Sequence, residues 1–262
     1  MIEVDKTYYK IQKTLKKYGY HPYKITPTQK LTERHKEERV EFCQTMINRL
    51  HQDNDFLKNI LWTDEATFST SGIFNRKNTN FWARQNPHQI REIKVQGRRS
   101  VHVWCGILNN TVIGPIIFNE NLNGEVYLQY LNNEIEHMLE DLPIAQYNRI
   151  VWQQDGAPPH NIRAVTEVLN DRYQLWLGRH GVIHWPANSP DLTPLDNFLW
   201  GFLKDRIYAD SPDDLDVVIQ QIRQSIEYLN QEKPHFIQDA IQRLRRCYQL
   251  CIEQEGGHFQ QY

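Results

Sequence analysis

The sequence predicts an α/β fold, a mixed sheet with helices packed on it. Three observations carry this. Two short runs rich in β-branched and aromatic side chains, Ile60-Leu61-Trp62 and Ile150-Val151-Trp152, lead into acids and turn residues. Two longer apolar runs, Val101 to Leu108 and Thr111 to Phe118, flank Asn109-Asn110 as in an antiparallel hairpin. After these, segments of helical period alternate with short strands to the end of the chain.

The elements follow in order. Residues 5–19 place Tyr8, Ile11, Leu15 and Tyr18 at helical spacing, with Lys10, Lys13, Lys16 and Lys17 elsewhere on the cylinder and Gly19 as a fitting C-cap. Only one helix precedes the turn, so a complete helix-turn-helix is absent. His21 to Thr28, with Pro22 and Pro27, reads as an extended linker. From Lys30 to about His51 a second amphipathic helix carries Val40, Phe42, Cys43, Met46, Ile47 and Leu50 on its apolar side. Ile60 to Glu65 is a short strand running into acids, with Ala66 to Thr70 as a candidate hairpin partner. Residues 71–99 are polar and Asn-rich, with seven Lys/Arg against the single acid Glu92. So long a loop or hairpin insertion is usually functional or disordered.

Val101 to Leu108 and Thr111 to Phe118 then form the hairpin, for which Asn109-Asn110 predicts a type I′ turn. Gly124 to Leu142 has helical period through Val126, Leu128, Tyr130, Leu131, Ile135, Met138 and Leu139. Arg149 to Gln154 is a buried strand that stops at Asp155-Gly156 and Pro158-Pro159. Asp155 is therefore expected at the carboxyl end of a central strand, where open α/β sheets place ligands. Ile162 to Tyr173 is a helix, Val182 to Trp185 a short strand, and Pro194 to Tyr208 a helix with Thr193 as N-cap. Two helices close the chain, near Asp213–Leu229 and His235–Glu255, ended by Gly256-Gly257. Their apolar residues are most simply packed against the sheet; a homodimer contact is the second reading.

Composition limits the function classes. At 262 residues the chain holds one large domain, or a domain with an appendage. The net charge of -2 hides an asymmetry, because residues 1–40 hold ten Lys/Arg against five Asp/Glu. A basic arm ahead of a mildly acidic body suits a polyanion partner, although a solvated Lys-rich helix face explains the same charges. Cys43, Cys105, Cys247 and Cys251 form no CxxC pair and have no His pair at zinc spacing, so reduced, buried thiols are expected. No apolar run approaches the roughly 18 residues of a membrane span, and no signal-peptide core follows Met1. A soluble, intracellular protein is expected.

Asp64, Asp155 and Asp196 occupy comparable positions, two beside strand ends and one on a helix opening. Crowded like charges raise one another's pKa unless a counter-charge compensates, and a hard divalent cation is the compensation that oxygen ligands favour. Two such ions about 4 Å apart would flank an in-line displacement at phosphorus. Each acid also has an ordinary role open to it. Asp155-Gly156 alone is more often a turn, Asp64 can cap the following turn, and Asp196 suits a first helical turn. Asp191, in Ser189-Pro190-Asp191, competes for the third position. His160 fits a contact around a metal site or with a phosphate, and equally a simple helix-start histidine.

The wording of the motifs adds to this. Trp62-Thr63-Asp64-Glu65-Ala66-Thr67-Phe68, Gln154-Asp155-Gly156-Ala157-Pro158-Pro159-His160 and Ser189-Pro190-Asp191-Leu192-Thr193-Pro194-Leu195-Asp196 resemble the three acidic motifs of mariner-type transposases of the DDE/D superfamily. Asn75-Arg76-Lys77-Asn78, Arg98-Arg99-Ser100-Val101 and the ending Gly256-Gly257-His258-Phe259 look like the same superfamily, so the resemblance runs from Tyr8 to Phe259. It implies a ribonuclease-H-like mixed sheet flanked by helices, with an N-terminal helical arm. It also implies metal-dependent DNA cleavage and strand transfer, with Asp64, Asp155 and Asp196 as a triad holding two Mg2+ or Mn2+ ions. Glu65 and His160 would stand in the shell around it, and Asp191 falls on an acid that in the family caps a loop.

Asp196 follows Asp155 by 41 positions, longer than the common mariner arrangement, and the extra residues are expected around Tyr173–Gly181, outside the site. Family members begin with two helix-turn-helix units. Here residues 1–28 resemble only the final helix of the second unit and its linker, and residues 29–262 the catalytic domain. The implied partners are transposon ends and target DNA in the nucleus, with Lys13, Lys16, Lys17, Arg76, Lys77, Arg98 and Arg99 along the backbone. Two other readings stand beside this one: a domesticated or decayed DNA- or chromatin-binding protein without activity, and a ribonuclease-H-type nuclease acting on RNA–DNA hybrids.

Overall fold

The computed structural model describes Lys13 and residues 30–70, 99–118, 120–209 and 212–259. Apart from Lys13 these belong to a compact unit of Gln29–Ile73 and Lys94–Tyr262. Its centre is a six-stranded mixed sheet in the order β3-β2-β1-β4-β5-β6. The strands are β1 (Ile60–Ser69), β2 (Ser100–Leu108), β3 (Thr111–Phe118), β4 (Val151–Gln153), β5 (Trp176–Gly178) and β6 (Ile183–His184). β1, β2 and β3 pair antiparallel, while β4 lies parallel to β1 and β5 and β6 continue in that direction.

Among the described residues the helices are α1 (Glu33–Gln52), α2 (Gly124–Asn132), α3 (Glu134–Glu140), the single turn α4 (Ile144–Tyr147), α5 (Arg163–Arg172), α6 (Trp200–Ile207), α7 (Leu215–Glu232) and α8 (Pro234–Glu253). Thr32 starts α1, its hydroxyl accepting from the His35 amide. Two cores cover the two faces of the sheet. One joins α1, α6, α7 and α8 to Ile60, Trp62, Ala66 and Phe68 of β1. The other joins α2, α3 and α5 to Leu61, Trp104, Trp152 and Trp176, with the Trp104 and Trp152 rings stacked 6.5 Å apart. Even-numbered residues of β1 thus face the first core and odd-numbered residues the second.

Several local expectations change. Ala66 to Ser69 do not turn back but continue β1, pairing with β2 from Leu61↔Leu108 to Ser69↔Ser100, because Ala66 and Phe68 keep the alternation that buries one face. Asp64 therefore lies inside a ten-residue strand and not at its end. Asn109 has a φ of 55°, but among the described residues Asn110 is not left-handed, so the hairpin turn is not type I′. The helix expected over 124–142 breaks at Asn133, whose φ and ψ of -116° and -83° are not helical. β5 was not foreseen. Three residues ending in glycine are too few to show a period.

The helix expected from Pro194 opens on one wide π turn, Leu195–Leu199, in which the Trp200 amide donates to the Leu195 carbonyl five residues back. Thr193 is extended as an N-cap should be, and its Oγ1 accepts from the Leu195 amide at 3.3 Å. All four cysteines are buried and free. No described helix is long and apolar enough to cross a membrane.

Candidate active site

Asp64, Asp155 and Asp196 line one cleft of about 410 Å³, with Thr63, Glu65 and Gln153 on its floor and the segment Trp185–Pro190 as a wall. β1 and β4 deliver the first two. Thr63 straps the strands together: its amide donates to Gln153 Oε1 at 3.0 Å and its hydroxyl to the Gln153 carbonyl at 2.6 Å. Alternation along β1 sends Asp64 toward the core that holds Trp200 and Glu65 toward the opposite face. Trp200 Nε1 donates to Asp64 Oδ2 at 2.7 Å.

Asp155 leaves the end of β4 in a turn held from beneath. Gln154 is buried, its Oε1 accepting from Tyr127 Oη at 3.0 Å and Trp152 Nε1 at 3.2 Å, while its amide nitrogen donates to the His160 carbonyl. Asp155 Oδ1 accepts from the Ala157 amide at 2.9 Å and lies 2.7 Å from His160 Nδ1. The same imidazole presents Nε2 to Glu65 Oε2 at 3.3 Å, close enough for charge attraction but off the hydrogen-bonding direction. His160 is thus a buried group bridging two carboxylates, with its ring 4.3 Å from Tyr127. Asp196, exposed on the π turn, lines the same cleft.

These charges perturb one another. Burial, then Asp196 and Glu65, push the Asp64 carboxyl well above the usual range, and the Trp200 hydrogen bond offsets only part of this. Asp196 is pushed up to about 6 by desolvation inside the cleft and by Asp155, relieved partly by Lys204. Burial opposes ionisation of Asp155 as well, but the His160 hydrogen bond and charge and the Ala157 amide together hold it below its ordinary value. Burial would depress His160, yet Glu65 and Asp155 outweigh it and raise the imidazole to about 10, so it is an imidazolium at neutral pH.

The arrangement can concentrate negative charge where a hard cation is the matching partner. Among the described residues, however, no three His, Cys, Asp or Glu side chains stand close enough together to hold one ion. The three aspartates share a cleft and a field rather than a formed ligand cage.

Asp191 adds to the charge around Asp196 but does not line the cleft. It is buried in a two-pronged ion pair with Arg39 of α1, at 2.7 and 2.6 Å. Of the basic residues expected along DNA, Lys13 and Arg99 are exposed, and the Arg99 carbonyl accepts from the Thr70 amide at 3.1 Å. Lys16, Lys17, Arg76, Lys77 and Arg98 lie outside the described residues. Trp200, Gln154 and Arg39 were missed in the sequence. Trp200 follows Asp196 by four positions, a helical spacing that would have suggested a shared face.

A six-stranded mixed sheet of this order, with acids gathered beside its two central strands, is the ribonuclease-H-like architecture. Residues 59–219 match the family described as DDE superfamily endonuclease, and the chain belongs to that family. Over 255 residues it is 25% identical to the transposable element Tc1 transposase of Caenorhabditis elegans, covering 94% of this chain and 85% of that one. It is 26% identical to the Tc3 transposase of the same organism over 188 residues, 71% of this chain and about half (51%) of Tc3. The Mos1 transposase paired-end complex with left transposon end superposes with a TM-score of 0.75 at 20% identity, over 96% of this chain and 71% of that one. The catalytic domain of Mos1 mariner transposase does so at 0.67 and 21% identity, over 90% of this chain and 100% of that one.

Proposed function

We propose that this chain carries out metal-dependent DNA strand cleavage and strand transfer of the transposase kind, with Asp64, Asp155 and Asp196 as its catalytic and metal-holding triad. One observation carries this: three acids from distant parts of the chain line a single cleft at the centre of the sheet. The donor set is all carboxylate, and the carboxyls of Asp64 and Asp196, raised by burial first and by neighbouring acids second, would be relieved by a hard divalent cation. Solved Mos1 catalytic-domain structures contain Mg or Mn, which supports use of a divalent metal here. Two ions, when bound, would supply activation of the attacking oxygen and stabilisation of the leaving oxygen.

The protein's own part is placement. Trp200 fixes the Asp64 carboxylate through Oδ2, and His160 with the Ala157 amide fixes Asp155 through Oδ1. Glu65 and His160 act around the triad, the imidazolium balancing acids on both sides of it. Duplex DNA is the proposed substrate, as transposon ends and target, and the names of the Tc1 and Tc3 relatives and the Mos1 strand-transfer complex support it. Lys13, Lys16, Lys17, Arg76, Lys77, Arg98 and Arg99 are the proposed phosphate contacts, which would make binding salt-dependent. Residues 1–28 would serve as a DNA-binding arm and 29–262 as the catalytic domain, with the nucleus as the place of action.

The test is Asp155→Asn. It should abolish magnesium- or manganese-dependent nicking of duplex DNA while the circular dichroism and unfolding transition persist. Equal nicking by wild type and variant would remove the proposal. Salt-dependent DNA binding with no metal response in wild type would favour a binding protein without activity.

A further inference from the structure

A buried, fully satisfied polar group lies outside the acid cleft. Arg39, fully buried on α1, uses all three side-chain nitrogens. Nε donates to the Gly256 carbonyl at 2.8 Å. Nη1 donates to Ser189 Oγ at 3.0 Å and Asp191 Oδ1 at 2.7 Å. Nη2 donates to Asp191 Oδ2 at 2.6 Å and the Gly257 carbonyl at 3.5 Å. The guanidinium also faces the Phe259 ring, 5.9 Å from its centroid. Only glycine fits at 256: its φ is 77°, and a Cβ there would collide with the Lys36 carbonyl of α1.

Arg39 therefore joins two segments flanking the family-matched residues 59–219, α1 and the tail after α8, to one loop inside it. That loop is the cleft wall. Ser189 and Pro190 line the cleft, and Ser189 Oγ also donates to the Ala187 carbonyl at 3.1 Å. Beyond Asp191, its carbonyl accepts from Asn197 Nδ2 at 2.7 Å, and Asn197 adjoins Asp196 on the π turn. A continuous chain of bonds runs from Arg39 through Asp191 and Asn197 to the backbone that presents Asp196. A buried ion pair adds little stability over a well-packed apolar pair of the same size. What this one supplies is direction, because a planar fork fixes both the position and the plane of its carboxylate.

We propose that Arg39 is a positioning residue of the cleft: clamped on Asp191, it holds the wall from Trp185 to Pro190 and the turn presenting Asp196 in working register. The proposal rests on Asp196 belonging to the triad. Its test separates it from that assignment by comparing Arg39→Met/Asp191→Leu, a matched apolar replacement, with wild type. Three quantities are measured on the full chain: the urea unfolding midpoint, amide hydrogen exchange of residues 186–199 in metal-free protein, and manganese-dependent nicking of duplex DNA.

The double variant should keep its unfolding midpoint while exchange across 186–199 accelerates about tenfold or more and that of β1 to β3 stays unchanged. Its kcat for nicking should fall roughly 10–100-fold, with KM for DNA within about twofold, as expected of misplaced rather than missing catalytic groups. Unchanged exchange overturns the proposal, and so does faster exchange with kcat unchanged. If the double variant does not fold, Arg39→Lys carries the same comparison, keeping the charge but losing the fork. Wild-type exchange and kcat in Arg39→Lys, or failure of that variant to fold, overturn it as well. Absence of nicking by wild type would count against the proposed function instead, and exchange alone would then judge the clamp.

Discussion

Replacing Asp196 by Asn should make the metal-free protein more stable at pH 8, although it removes a group proposed to be essential. The Asp196 carboxyl is pushed up to about 6 in the folded protein, whereas an unfolded chain restores its ordinary value near 3.8. The gap between those two values corresponds to roughly 3 kcal/mol if carried wholly by the folded state. Asp196 is exposed at the cleft, so solvent screening reduces this to about 1 kcal/mol. The sign follows from the raised value. Between about pH 4 and pH 6 the folded state binds the extra proton, so this group's contribution is intact below pH 4 and lost as pH rises through 6.

The assay is urea unfolding in chelator at pH 4, 5, 6 and 8. Wild type and Asp196→Asn should coincide near pH 4 and separate steadily, the variant gaining about 1 kcal/mol by pH 8. Added manganese should reverse the order by stabilising wild type alone. A variant as stable as wild type or less stable at pH 8, with the gap independent of pH, would refute the burial and neighbouring charge that raise the Asp196 carboxyl.

Other outcomes follow from the same geometry. Trp200→Phe keeps a ring in the core but removes the donor to Asp64; it should cost about 1–3 kcal/mol of stability and lower nicking about tenfold, measured by urea unfolding and single-turnover cleavage. His160→Gln leaves Asp155 and Glu65 without their shared counter-charge and should cost about 3–5 kcal/mol at pH 7 by urea unfolding. Because the imidazole is raised to about 10, its contribution is complete below about pH 6.5 and fades as pH climbs through 10. Wild type should accordingly weaken toward pH 10 while His160→Gln stays flat, and a parallel decline in both would contradict the ion pair. Arg99→Ala should reduce the salt dependence of duplex DNA binding by about one phosphate contact in a fluorescence titration, with little change in unfolding. In competition, duplex DNA should outcompete an RNA–DNA hybrid for nicking; preference for the hybrid would point to a ribonuclease-H-type activity.

Much of the framework was legible because it rests on local periodicity. β2, β3, α1, α5 and the two closing helices bury a regular stripe or alternate face, and the Asp155 turn is written in glycine and prolines. What escaped depends on neighbours far along the chain. Ala66 to Ser69 extend β1 only because β2 pairs with them, and Trp176–Gly178 forms a strand only because β4 is alongside. Arg39 sits in Glu33-Arg34-His35-Lys36-Glu37-Glu38-Arg39, which reads as a solvated helix face. Its burial is decided by the glycine tail 217 positions away. The acids were legible as residues and Trp200 left a trace in its spacing from Asp196, whereas Gln154 and Arg39 became visible only in three dimensions.

The most direct measurement of the triad is an anomalous diffraction map from a crystal of the full chain soaked in manganese. The expected result is density for two ions in the cleft, with carboxylate oxygens of Asp64 and Asp155 within ligand distance and Asp196 completing the second. A map with no ion there, or with ions bound while Asp196 points elsewhere, would contradict it.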